Sequence, residues 1–91
     1  MTTHEIELLR QAIRAYLVNR RPAAFAAEAI ASGLRGRNLV DFPVTKEEVE
    51  RELALLVDLK HVDSHTSDLG STRFYFATST GVLATERAAH G

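Results

Sequence analysis

The apolar residues of this 91-residue chain change their period near residue 60. Before it, Val49, Leu53, Leu56 and Val57 recur at helical spacing, and Leu55 and Leu59 widen the stripe. After it, Val62–His65 and Thr72–Thr78 read as two strands around a turn, Thr66–Ser71, that contains Asp68 and Gly70. A helix that gives way at once to a β-hairpin points to a small α+β fold. In the second strand Phe74 and Phe76 share one face, and Arg73, Tyr75 and Ala77 share the other. Phe74 and Phe76 are expected to face the core, and a one-residue slip in register would turn Tyr75 inward in their place.

The rest of the chain supplies two more helices. Thr2 and Glu5 have the spacing of a capping box, and Ile6, Leu9, Ile13, Tyr16 and Leu17 then line one helical face. Pro22 ends that helix and suits the first turn of the next. The second helix is expected to run to about Ser32 with Phe25, Ala29 and Ile30 inward, and Gly33 to stop it. Arg35–Asn38 reads as a turn. Leu39–Phe42, closed by Pro43, reads as an extended segment and a candidate edge strand. Thr45 with Glu48 forms a second capping box and starts the third helix. Val82–Ala89 is expected to be a short, frayed helix. The expected core is Ile6, Leu9, Ile13, Leu17, Phe25, Ile30, Val49, Leu53, Leu56, Val57, Val62, Phe74 and Phe76.

Composition excludes several classes. The length is far below the roughly 200 residues of a barrel enzyme. Apolar stretches of a few residues fall short of the ~20 a membrane helix requires. Glu5, Glu7, Arg10 and Arg14 occupy the place where a secretory signal needs an apolar run. Cysteine is absent, which removes disulfides and thiolate chemistry and fits a cytoplasmic protein. No Ser elbow or phosphate-cradling glycine loop is present, so no enzyme and no cofactor are expected. His61, Asp63 and His65 have strand spacing, but a flat row on one strand is poor geometry for zinc, and no metal site is expected.

The order helix, helix, helix, hairpin resembles the winged helix-turn-helix family. The likeness rests on Thr45-x-x-x-Val49-x-x-x-Leu53-x-x-Leu56, then Val62, the hairpin, and the close Tyr75-Phe76-Ala77-Thr78-x-x-Gly81. It spans nearly the whole chain and implies one winged-helix domain over residues 1–91, with three helices and a C-terminal wing. A looser likeness is to small winged-helix proteins among phage-related genes of bacteria. Two positions depart from the pattern. His61 stands where the family often has a left-handed Gly, and about ten residues join helices two and three where three or four are usual.

The resemblance implies that the third helix lies in the DNA major groove and that the wing touches backbone or minor groove. Charge argues partly against this. Residues 1–37 carry a net +3 and residues 38–91 a net −4, and residues 45–60 alone carry −2. Glu47, Glu48, Glu50 and Glu52 repel phosphate, although negative charge in the first half of a helix also opposes the helix dipole. Arg20, Arg21, Arg35, Arg37 and Lys46 could form one positive edge if the connection folds back. Expected DNA contacts are Arg35, Arg37, Lys46, Arg51 and Arg73, and the expected function is a non-catalytic DNA-binding or transcription-regulatory module. The alternative is a protein-interaction or homodimerisation module that binds no DNA, drawing on Leu8, Leu39 and Leu69, which fit none of the inward stripes.

Overall fold

A computed structural model describes residues 1–90. Among them are four helices and three strands: α1 (Thr3–Asn19), β1 (Phe25–Ala26), α2 (Ala27–Gly36), α3 (Lys46–Asp58), β2 (Val62–Thr66), β3 (Arg73–Ala77) and α4 (Ser79–His90). The class is the α+β expected from sequence, with one more strand and a longer fourth helix than the hairpin-and-three-helix outline. The strands form one antiparallel sheet in the order β1-β3-β2.

Both capping boxes form. The Glu5 amide donates to Thr2 Oγ1 at 3.1 Å and the Thr2 amide donates to Glu5 Oε1 at 2.9 Å. The Glu48 amide donates to Thr45 Oγ1 at 3.2 Å, and the Thr45 amide to Glu48 Oε1 at 2.9 Å. Each box satisfies backbone donors that the first turn leaves free and fixes where the helix begins. The stripes behind them close the core: Leu9, Ile13 and Leu17 of α1 meet Val49, Leu53 and Leu56 of α3, all at most 1% exposed. Ile6 and Val57 are only half-buried at its margin.

The second helix differs from the expectation. The Arg21–Pro22 peptide is cis, and α2 starts five residues beyond Pro22, at Ala27. Phe25 and Ala26 instead pair with Tyr75 and Phe74 as an edge strand. The Phe25 ring meets Tyr16 edge-on at 5.7 Å, a favoured aromatic geometry. The later start shifts the buried face to Ala27, Ile30, Ala31 and Leu34, and Ala29 is exposed. Gly33 does not stop the helix. It lets α1 and α2 approach, because a Cβ there would lie 2.7 Å from Tyr16 Cε2. The helix ends three residues later, where Asn38 takes φ 52° and the Leu39 amide returns to the Leu34 carbonyl at 3.1 Å.

Leu39–Phe42 forms no strand. It bends beside α1, with Val40 and Phe42 packed partly against the core and Val44 buried. The end of α3 repeats the end of α2: Lys60 takes φ 67°, and the His61 amide bonds the Leu56 carbonyl at 3.0 Å. The left-handed residue is therefore Lys60, not His61.

The hairpin is present, but its inner face is the reverse of the expected one. Val62 is the single apolar residue of β2, and it is buried. Its cross-strand partner is Ala77, so Ala77 and Tyr75 follow it inward. Phe74 and Phe76 go to the other face, where the His65 ring lies 5.8 Å and 6.0 Å from them.

The Thr78-x-x-Gly81 close ties the end of α3 to the start of α4. The Thr78 hydroxyl donates to the Lys60 carbonyl and accepts from the Gly81 amide at 3.1 Å. The Thr78 amide donates to the His61 carbonyl at 3.1 Å. A Cβ on Gly81 would overlap that carbonyl oxygen and lie 3.0 Å from its carbon. Gly81→Ala is therefore expected to lower stability by about 1–3 kcal/mol, since backbone must move to admit the methyl. Gly36→Ala, with nothing within 4 Å of the added carbon, is expected to raise stability by up to about 1 kcal/mol. Denaturant midpoints of the two variants check both signs.

Candidate nucleic-acid interface

The outer face of α3 presents Lys46, Glu47, Glu50, Arg51, Ala54 and Asp58, all exposed. Two of the four glutamates counted against DNA binding are not available on that face. Glu48 is held in the capping box. Glu52 turns inward, 5% exposed, and its Oε1 accepts from Arg10 Nε at 2.8 Å. The pair keeps a buried carboxylate compensated and locks α3 against α1. This was readable in the sequence, because position 52 sits three residues after Val49 and four before Leu56, on the inward stripe. Of the remaining acids, Glu50 lies 3.8 Å from Lys46 one turn away, an exposed pair of little energetic weight.

The expected contact residues fall into three places. Lys46 and Arg73 line one concave surface between the starts of α2 and α3 and the turn end of the wing, together with Tyr75, Thr72, Glu28 and Glu50. Arg73 also donates to Ser64 Oγ at 3.1 Å, which aims its guanidinium across the hairpin toward α3. Ala54, Asp58 and Arg73 line an adjoining hollow, so the helix face and the wing are continuous. Arg51 is exposed on the same helix. Arg35 instead donates to the Val44 carbonyl at 2.8 Å and pins the connection ahead of α3. Arg37 lies beside α1, near Arg20 and Leu39.

The single positive edge does not form. Arg20 stacks on the Tyr16 ring at 3.7 Å, and Arg21 donates to Ser79 Oγ at 3.2 Å. The wing tip holds Asp68 and a fully exposed Leu69.

The ligand row His61, Asp63, His65 is not assembled either. His61 precedes β2 and faces α1, where Arg14 Nη1 lies 3.3 Å from its Nδ1. Arginine only donates, so Nδ1 accepts and the imidazole proton sits on Nε2. Among the described residues no group of three His, Asp or Glu side chains could hold a metal. Burial, and then the Arg14 charge, push the His61 pKa below its ordinary 6.5. Burial, and then Arg10, lower that of Arg14.

The element order, the sheet order and an uncovered third helix beside a hairpin define a winged helix-turn-helix fold. Solved structures carry the same fold. A transcriptional regulator from Clostridium thermocellum superposes with a TM-score of 0.81 over 99% of this chain and 85% of its own, at 12% identity. Bacillus subtilis PadR in complex with operator DNA gives 0.74 over 89% of this chain at 19% identity. The adhesin competence repressor of Streptococcus pyogenes gives 0.63 over 87% at 10% identity. This chain spans about half of the latter two, 46% and 53% of their lengths. No protein-family model matches the chain, and no curated protein matches it in sequence.

The lowered His61 pKa fixes a sign. The folded protein favours the neutral ring, while the unfolded chain takes up a proton near 6.5. Stability is therefore full above that pH and falls as pH drops through it toward the lower folded value. Between pH 7.5 and 5.5 the wild type should lose more of its urea midpoint than His61→Gln does.

Proposed function

We propose that this chain is a non-catalytic DNA-binding regulatory module, with double-stranded DNA as its partner. In this reading α3 enters the major groove and the β2–β3 hairpin flanks it on the backbone. The observation that carries it is the continuous surface formed by the uncovered face of α3 and Arg73 of the wing, with Lys46 at the helix start. Retirement of Glu48 and Glu52 into the cap and the Arg10 pair removes much of the repulsion that the sequence alone suggested. The likeness to PadR, whose structure holds operator DNA, supports the same reading. Such a module works with the chromosome in the bacterial cytoplasm. Among the described residues no helix is long and apolar enough to cross a membrane.

Lys46, Arg51 and Arg73 are assigned as phosphate or base contacts. Arg35 acts by positioning the connection through Val44. Three cationic contacts give a log–log salt slope of about −3. Fluorescence anisotropy with a generic duplex at low salt should therefore show binding on the order of micromolar that weakens along that slope. Arg73→Ala should make the slope shallower by about one. Glu50→Gln should tighten binding severalfold, whereas Glu52→Gln, buried against Arg10, should not. No binding at low salt would overturn the assignment. Light scattering on the same samples reports whether one copy or two bind.

A further inference from the structure

A second surface lies away from α3. Leu8, Ala12, Ala15 and Asn19 follow one another at spacings of 4, 3 and 4 along α1 and share one face. Arg10, which meets α3 through Glu52, projects from the opposite side of that helix by the same period. The long α2–α3 connection runs beside this face as a wall. One hollow is lined by Ala12, Ala15, Asn19, Arg37 and Leu39. A second is lined by Leu8, Leu39, Val40 and Phe42 together with Asn38 and Asp41, so the only carboxylate of the lining lies at the end away from Arg20, and the two hollows meet at Leu39. Leu39 and Leu8 are 47% and 37% exposed, which is high for side chains flanked by other apolar groups.

Charge marks one end of this trough. Arg20 and Arg37 both line it. Arg20 is held in place over the Tyr16 ring and donates once, to the Tyr16 carbonyl at 3.0 Å, leaving most of its donors free. Neither arginine is among the carboxylate pairs of the described residues, which are Arg10–Glu52 and Lys46–Glu50. A fixed guanidinium beside a second one is complementary to an acidic group.

We propose that this trough docks a short amphipathic helix from a partner protein, apolar on one face and carrying carboxylates near one end. Its size argues for this occupant. From Leu8 to Asn19 the trough is about 17 Å long, some three helical turns, and a helix is about 10 Å wide. A single helix laid with its apolar side on Ala12, Ala15 and Leu39 fills it, and its carboxylates meet Arg20 and Arg37. The long connection thereby acquires a role, since it builds the outer wall.

Selection from a displayed library of single helices, with the full chain as bait, tests the proposal. Enriched helices should carry Leu, Ile or Met at i, i+3 or i+4, and i+7, with Asp or Glu clustered at one end. Their affinity should fall at least about tenfold in Ala15→Arg, which fills the trough, and severalfold in Arg37→Glu. Leu39→Ser, outside any helix, serves as a second variant if Ala15→Arg fails to fold. It should weaken the same helices while leaving duplex affinity within about twofold. No enriched helix, or helices that bind Ala15→Arg and Leu39→Ser as well as wild type, would overturn the proposal. A dimer in light scattering that Leu39→Ser splits would also overturn it, in favour of a second copy. The duplex measurement is independent, so loss of DNA binding and loss of helix docking are separately visible.

Discussion

Everything downstream of α3 depends on how two carbonyls are used, those of Lys60 and His61. The chain must leave a helix, turn and enter a strand within four residues. Lys60 makes the turn in the left-handed region, at a steric cost that a non-glycine residue bears there. Thr78 then ties both carbonyls from the far side of the hairpin, through its hydroxyl and its amide. Gly81 lets the first turn of α4 come close enough for the bond to form. One threonine thus ties the end of α3 to the end of β3. Because Lys46 lies on one and Arg73 on the other, the same contact helps hold together the two sides of the proposed DNA-binding surface.

The electrostatics of α3 follow from how its acids are spent. A count over residues 45–60 gives a helix hostile to DNA, but the count treats every carboxylate as solvent-facing. Glu48 is consumed by the cap, and Glu52 faces Arg10 in the interior. Glu47, Glu50 and Asp58 remain on the surface with Lys46 and Arg51. Under the proposed function, such a mixed face would bind DNA weakly and with strong salt dependence unless specific base contacts add to it.

Features that depend on nearby residues were legible in the sequence. The two capping boxes, the α1 and α3 stripes and the existence of the hairpin need only residues a few positions apart. Features that depend on distant partners were not. Phe25–Ala26 has helix-favouring alanines around it and becomes a strand because β3, some fifty residues on, offers an edge. The inward choice of Tyr75 and Ala77 over Phe74 and Phe76 is set by Val62 across the ladder, not by side-chain size. Gly33 has the sequence signature of a stop, yet its role is set by Tyr16 on another helix. For the proposed site, residue type pointed alike to Arg35, Arg37, Lys46, Arg51 and Arg73. That Arg35 holds Val44 required the fold of the connection.

The surface assignment is tested most directly by mapping amide chemical shifts in the full chain during titration with a short duplex at low salt. Perturbations are expected along the outer face of α3, at Lys46, Arg51 and Ala54, and at Arg73 and its hairpin neighbours, with α1 from Leu8 to Asn19 unmoved. Perturbations confined to α1 and the α2–α3 connection, or none at all, would contradict it.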